Sequence, residues 1–474
     1  MTVIVVGAGI AGLTAAWHLL ASGTPPTDIT VLESSNRVGG KLALAEVAGS
    51  RLDVGAESML AVRPEAPELV REVGLGDALT TPATTSASVW SRDRLWPLPT
   101  GTLMGVPADP EAVRGLLTDE EVDRLRDERP WPVELSGDVA VGEYLAARLG
   151  DAVVDRLVEP LLGGVYAAQA RQLSMAASVP ALHTAALRGE SMLGAAQAAA
   201  AARAGTRAGA GAFCGIVGGL GRLPEQLQDS LRAAGVRIET GVTVRELART
   251  QAGWRLTCGP VPSPSVHEAT SVILAVPPPS AGRLLAGVAP AAAATMAGIE
   301  VASMAVITLA VDRRALDAAG HVLPGSGFLV PATDARTIKA STFSSNKWSW
   351  VGDLRDDVVF LRASVGRAGE VAPLQVSDEE LVDVAVREVG QAVGFPLAPV
   401  VDSHVQRWGG GLPQYAVGHL ERIAAVEAAI EGVPGLEVCG AAYRGVGIPA
   451  VIASARAAAD RLQASRSSEE RSVP

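Results

Sequence analysis

The sequence predicts an α/β protein built around a parallel-sheet nucleotide-binding unit. Three observations carry that reading. A short apolar run, Val3–Val6, leads into a glycine-rich turn and then into helical apolar spacing over 10–20. A second apolar run, Ile29–Leu32, ends at an acidic residue, Glu33. The same strand–glycine–helix texture returns after residue 212 and again near residue 440. Short apolar runs closed by glycine suit strands buried on both faces, as parallel strands are.

Each part of the first unit has a physical reason. In Gly7-Ala8-Gly9-Ile10-Ala11-Gly12, the first glycine permits the tight turn and Gly9 lets backbone approach a pyrophosphate. Gly12 allows close helix–strand packing, and the helix N-terminus presents N–H groups and a positive dipole end to the phosphates. Glu33 follows Gly12 by about twenty residues, where a carboxylate accepts hydrogen bonds from ribose hydroxyls. Strand, turn, helix, second strand and acid occur in the required order, which a chance glycine turn lacks.

Further along, the pattern organises into lobes. Helical periodicity covers 111–129 and 141–162, and the Ala-rich stretch 174–211 is predicted helical. Gly218-Gly219-Leu220-Gly221 precedes a helix to about Ala234, and 236–239, 242–247, 254–258 and 272–276 read as strands. Residues 304–311 and 358–365 read as strands of a different sheet, and Asp378–Val393 as a helix. Residues 436–439 form a strand into Gly440, and Pro449 opens a last helix to about Leu462 at its favoured first position. The prediction is a discontinuous dinucleotide lobe from 1–85, 212–285 and 400–465. A mainly helical substrate- or membrane-facing lobe spans 86–211, a substrate-binding sheet lobe 286–399, and a polar, disordered tail 466–474.

Composition sets bounds. A chain of 474 residues has room for several lobes at about 100–200 residues each. Apolar residues at 48% and charged residues at 19% describe a globular chain. Mean hydropathy is +0.26, yet no apolar run reaches the roughly 18 residues that span a bilayer. The N-terminal segment lacks the basic region of a secretory signal, so cytoplasmic residence is expected. The helical lobe leaves a weak peripheral membrane contact open. A net charge of −11 gives no electrostatic support for nucleic acid. Cys214, Cys258 and Cys439 follow no metal or disulfide spacing and read as buried thiols. The histidines form no ligand cluster, and no metal site is expected.

The residues after Glu33 separate NAD from FAD. Ser34, Arg37, Gly39, Gly40 and Lys41 resemble the Glu-x-x-x-Arg-x-Gly-Gly continuation of the flavin-containing amine oxidase superfamily. Arg37 brings positive charge toward a pyrophosphate, and the paired glycines let backbone pass close to a cofactor. Lys41 stands where that family more often has Arg or an aromatic. Arg51 to Ser58 is similar to the superfamily's next element, a turn that runs under the flavin ring. Gly440 to Pro449 is a third glycine-rich turn opening a helix, suited to an electron-rich ring edge. The fold implied is a Rossmann-like FAD-binding domain of the amine oxidase/glutathione reductase type, with a mixed α+β substrate domain and a helical insertion.

Longer strings resemble one branch, the bacterial coproporphyrinogen III oxidase and protoporphyrinogen oxidase family. They include Leu95-Trp96-Pro97-Leu98-Pro99, Met104-Gly105-Val106-Pro107, Glu159-Pro160-Leu161-Leu162-Gly163-Gly164-Val165-Tyr166, Gly325-Ser326-Gly327-Phe328, Lys347-Trp348, Arg407-Trp408 and Tyr443-Arg444-Gly445-Val446-Gly447-Ile448-Pro449. The series runs in order over nearly the whole chain. Ala168-Gln169, Ala455 and Thr270-Ser271 depart from the family pattern.

The resemblance implies FAD on Gly7, Ala8, Gly9, Ile10, Ala11 and Gly12, on Glu33 and Ser34, and on Arg37, Gly39, Gly40 and Lys41. It adds Gly55, Ala56, Glu57, Ser58, Val244 through its backbone, Trp408, Gly440, Val446, Gly447 and Ile448. Without it, Val244 and Trp408 read as core residues. The implied reaction is dehydrogenation of a porphyrinogen in haem biosynthesis: hydride leaves a bridge carbon for the flavin, pyrrole protons leave, and oxygen returns the flavin while forming hydrogen peroxide. The flavin carries the hard chemistry, so no catalytic acid, base or nucleophile is assigned. Hand-over of product to a ferrochelatase is a further implied partnership.

An apolar macrocycle with anionic propionates needs an apolar slot with cations at its mouth. Arg63 is the first candidate for a propionate contact, followed by Arg94, Lys339 and Lys347, although each also reads as an ordinary surface cation. A flavin amine oxidase is the nearest rival; Thr308 stands where that family places a lysine. A polyene desaturase and a non-catalytic escort on the same fold are further alternatives. The soluble Gram-positive-type strings favour coproporphyrinogen III over protoporphyrinogen IX.

Overall fold

A computed structural model describes residues 2–205 and 211–472. Its first layer is a five-stranded sheet in the order Arg237–Glu239, Ile29–Leu32, Val3–Val6, Ser271–Leu274, Leu436–Val438, with every neighbouring pair parallel. The alternation of side chains across a strand divides this sheet's residues between two cores. Val3, Val5, Ile29, Val31 and Ile273 pack with Leu13, Leu227 and Ile452 from the helices Ile10–Ala21, Arg222–Ala234 and Ile448–Ser472. Ile4, Val6, Leu32, Val272 and Leu274 pack on the other face with Trp254 and Leu256, which belong to an antiparallel sheet of Val244–Thr250, Gly253–Cys258 and Ser265–Ala269. The central runs Val3–Val6, Ile29–Leu32 and Ser271–Leu274 are almost wholly apolar because both faces are covered.

The second layer is a seven-stranded sheet in the order Val400–Pro413, Val301–Asp312, Val358–Val365, Ile338–Thr342, Gly327–Leu329, Ser88–Ser91, Arg94–Pro97. Its pairs are antiparallel except Gly327–Leu329 with Ser88–Ser91. The helix Asp378–Val393 covers one face through Leu381, Ala385 and Val389.

The lobe boundaries need three corrections. Val400–Pro413 belongs to the seven-stranded sheet, paired to Val301–Asp312, so the last part of the dinucleotide lobe starts after it. Ser88–Ser91 and Arg94–Pro97 extend the same sheet, so 86–211 is not all helical. The last helix continues through Ser472, across much of the expected disordered tail. None of these strands shows a strand pattern in the sequence. Val400–Pro413 is largely polar and glycine-rich, and Ser88–Ser91 and Arg94–Pro97 are too short to show a period, so only their pairing reveals the sheet they join.

The helical lobe is more broken than periodicity suggests. Within 111–129 the α-helix is only Asp119–Arg126, opened by a capping box between Thr118 and Glu121 after Gly115 takes φ +91°. The 141–162 stretch is divided at Gly150, with φ +101°, and passes through a π-helical turn, Val154–Val158, before Glu159–Tyr166. The 174–211 stretch holds three helices, Met175–Ser178, Pro180–Leu187 and Met192–Gly205; 206–210 lies outside the described residues. All three cysteines are buried and free.

Candidate active site

The first glycine turn links Val3–Val6 to Ile10–Ala21. A Cβ on Gly12 would collide with the Gly7 carbonyl oxygen, so only glycine lets the helix sit this close to the strand. A Cβ on Gly9 would meet nothing within 4 Å, so the turn opens onto free space there. Glu33 reaches back to this turn and accepts the Ala8 N–H at 2.7 Å, and it also accepts the Ser35 N–H at 2.8 Å. The segment before Val244 is fixed against the same acid: the Val242 N–H donates to the Glu33 carbonyl at 2.8 Å.

Residues 37–41 close over the turn. The Gly39 N–H donates to the Ala8 carbonyl at 2.8 Å, and a Cβ on Gly40, at φ +55°, would lie 3.3 Å from Gly9 Cα. Arg37 donates to the Val38 and Gly40 carbonyls, and its guanidinium carbon lies 5.7 Å from the centroid of the Trp408 ring. Lys41 is accessible to solvent yet deeply set among protein atoms, and desolvation holds its ammonium below its ordinary range. The third turn closes the group from the other side: Gly440, at φ +131°, approaches Ala11, and its N–H donates to Ser454 Oγ at 3.2 Å. Gly447 then starts the last helix, accepting the Val451 N–H at 3.0 Å.

The segment 53–57 is a junction in which every residue is hydrogen-bonded to another part of the chain. The Asp53 carboxylate accepts the Leu220 and Gly221 N–H groups at 2.8 and 3.0 Å. The Val54 carbonyl accepts Trp408 Nε1–H at 3.1 Å. The Gly55 carbonyl accepts from Arg362 at 2.7 Å, and the Ala56 N–H donates to the Lys41 carbonyl at 3.2 Å. Glu57 accepts Lys347 Nζ at 2.7 Å and Arg362 Nη1 at 3.1 Å. Burial pushes the Glu57 carboxyl up, but Lys347, Arg362 and a hydrogen bond from Trp348 outweigh it and leave it below the usual carboxylate range. Beside this junction, Asp53, Glu57, Arg362, Thr308 and Ser344 line a small cavity. The Thr308 and Ser344 hydroxyls are buried and have no hydrogen-bond partner among the described residues.

The four expected propionate contacts are not brought together. Arg63 pairs with Glu65 at the surface, and Arg94 lies 4.5 Å over the Trp96 ring. Lys347 is already held by Glu57, so it is part of the junction and not a free cation. Lys339 is only 5% exposed with no hydrogen-bond partner among the described residues. Burial, with help from Arg367, lowers its ammonium to about 8.

A family model for the flavin-containing amine oxidoreductases matches residues 10–463. The chain belongs to that family. FAD is its cofactor, and the residues present fit it: the first turn is open over Gly9 and close-packed at Gly12. Among the relatives of this flavin-containing amine oxidoreductase are a coproporphyrinogen III oxidase of Mycobacterium leprae, 36% identical and covering 97% of this chain and 98% of the relative, and one of Mycobacterium tuberculosis, 35% identical over 95% of each. A solved structure from Exiguobacterium sp. 255-15, provisionally assigned as a protoporphyrinogen oxidase, is 30% identical over 98% of each chain with a TM-score of 0.83. Motif reading missed Arg362 and included Asp53 only within Arg51 to Ser58, with no role of its own. Together with Trp408, Lys41 and Lys347 they tie the junction to the rest of this flavoprotein. Arg362 did leave a signal: it is the one charged residue in the otherwise apolar or small-residue strand Val358–Val365.

Proposed function

We propose that the protein oxidises coproporphyrinogen III to coproporphyrin III with FAD, using molecular oxygen as the final acceptor and releasing hydrogen peroxide. The supporting observation is an open patch on the sheet beside the junction. The face that carries Thr308 and Arg362 also carries Met304, Leu329, Ala340, Ser364 and Trp408, as the strand register requires. These five are only partly buried, whereas Ile307, Leu361, Ala363 and Val365 on the opposite face are wholly buried. The helix Glu159–Tyr166 passes this patch, and a Cβ on Gly164 would sit 3.7 Å from Leu329 Cδ2. A partly open patch of small and apolar side chains, backed by buried core residues on the opposite face, suits a large apolar ring.

In this reading, bound FAD supplies the acceptor for the electrons taken from the macrocycle. The chain's own residues position and enclose. Gly7 to Gly12 and the helix behind them hold the pyrophosphate, with Arg37 adding positive charge. Glu33 and Ser34 hold the ribose, and Val242 to Val244 hold the adenine. Gly39 to Lys41, Gly55 to Ser58, Trp408, and Gly440 with Val446 to Ile448 surround the ring system. Met304, Leu329 and Ala340 give the substrate an apolar wall that excludes water.

A second reading, protoporphyrinogen IX as preferred substrate, draws on the assignment of the Exiguobacterium structure. The mycobacterial relatives are more similar in sequence and favour the first. The test is anaerobic mixing of the FAD-loaded protein with coproporphyrinogen III. The flavin absorption band bleaches if the proposal holds; a band that persists under excess substrate overturns it.

A further inference from the structure

We infer that Arg362, Lys347 and Glu57 form a charge cluster that sets the electron affinity of the flavin, with Arg362 as the positioning residue for the segment 53–58. This rests on the proposed placement of that segment beside the flavin ring.

The geometry is unusual for a simple ion pair between lobes. Glu57 binds two cations at once, Lys347 at 2.7 Å and Arg362 at 3.1 Å. The side chains are 12%, 19% and 14% exposed, so solvent screens them poorly. Glu57, Lys347 and Arg362 alone carry a net positive charge. Asp53 lines the same cavity, and because burial pushes its carboxyl up to about 7 it opposes that charge least below that pH. Both cations come from outside the dinucleotide lobe: Arg362 from Val358–Val365 of the seven-stranded sheet, and Lys347 from the short helix Ser344–Lys347 that follows Ile338–Thr342. Arg362 spends its second arm on the Gly55 carbonyl, which fixes the peptide plane there. Trp408, from the same sheet, holds the preceding carbonyl of Val54. The substrate-bearing sheet therefore sets both the shape and the local charge of this segment.

A flavin gains negative charge on reduction, and charge placed near its ring tunes its electronics. A buried net positive cluster favours the reduced form. Removing a cation then makes the flavin a weaker electron acceptor, and removing the carboxylate makes it a stronger one. A merely structural ion pair predicts loss of stability or of FAD from all such variants, with no opposite signs.

The test is the flavin midpoint potential and FAD dissociation constant of holoenzyme carrying Arg362→Gln, Lys347→Met, Glu57→Gln or Arg362→Lys. Arg362→Gln and Lys347→Met are expected to shift the potential negative and Glu57→Gln positive. Each shift is expected to be a roughly tenfold change in the reduction equilibrium, about 30 mV for a two-electron couple. Arg362→Lys keeps the charge but cannot serve Gly55 and Glu57 together, so it keeps the potential and binds FAD less tightly. If Arg362→Gln loses FAD altogether, the opposite signs of Lys347→Met and Glu57→Gln still decide. Potentials that do not move, or that move in the same direction, overturn the inference. Failure of the unmodified protein to bind FAD at all would instead overturn the placement on which it rests.

Discussion

Asp53 shows how one buried acid ties two turns together and leaves a titration behind. Its carboxylate holds the Leu220 and Gly221 N–H groups, so it fixes the glycine turn that opens the helix Arg222–Ala234. Burial nevertheless pushes its pKa up to about 7. In the unfolded chain the same acid titrates near 4. Between those values the folded protein binds the extra proton, so the stability linked to Asp53 is fully present below about 4 and is lost as pH rises to about 7. The stability advantage of the unmodified apoprotein over Asp53→Asn is therefore expected to fall by about 2–3 kcal/mol from pH 5 to pH 8. Denaturant unfolding at several pH values measures it; a difference independent of pH contradicts the assignment. At this scale the glycine turns and Glu33 were legible, because local backbone geometry dictates glycine and an acid at fixed spacing. The role of Arg362 was not, because its partners at Gly55 and Glu57 lie about 300 residues away.

Among elements, the helix Glu159–Tyr166 links the helical lobe to the open sheet face. Leu162 and Tyr166 bury into the helical core, while Gly164 faces Leu329. The Gly164 backbone has no positive φ, and its nearest neighbour would be at ordinary contact distance. A side chain there is tolerated by the fold but fills the space over the sheet. Gly164→Leu is expected to lower kcat/KM for the porphyrinogen roughly tenfold or more, chiefly through KM. FAD binding and thermal stability stay unchanged. Equal loss of flavin, or full activity, would show that the substrate does not lie there. The strands with apolar runs, such as Val3–Val6, Ile29–Leu32 and Val301–Asp312, were visible, whereas short or polar strands such as Ile338–Thr342 and Val400–Pro413 were not. Val400–Pro413 does not read as a strand, because its sequence is largely polar and glycine, and its place in the sheet shows only in its pairing with Val301–Asp312.

Across the whole molecule, the chain visits the five-stranded sheet in three segments, 3–32, 237–274 and 436–438. Each has its glycine turn: Gly7 to Gly12 within the first, Gly218 to Gly221 before the second and Gly440 to Gly447 after the third. That assembly was legible because each visit repeats the strand–turn pattern. The seven-stranded sheet was only partly legible, since it collects strands from 88 to 413 with no shared motif. Among the described residues no helix is long and apolar enough to cross a membrane. In the proposed function, substrate identity belongs to this scale, because the open face of the seven-stranded sheet and the helix Glu159–Tyr166 that passes it come from different parts of the chain. The most direct measurement is aerobic turnover of coproporphyrinogen III and protoporphyrinogen IX by the purified FAD-loaded enzyme, followed by porphyrin fluorescence and peroxide release. The proposed function predicts a higher kcat/KM for coproporphyrinogen III, with peroxide formed as porphyrin appears. A clear preference for protoporphyrinogen IX, or no oxidation of either, would contradict it.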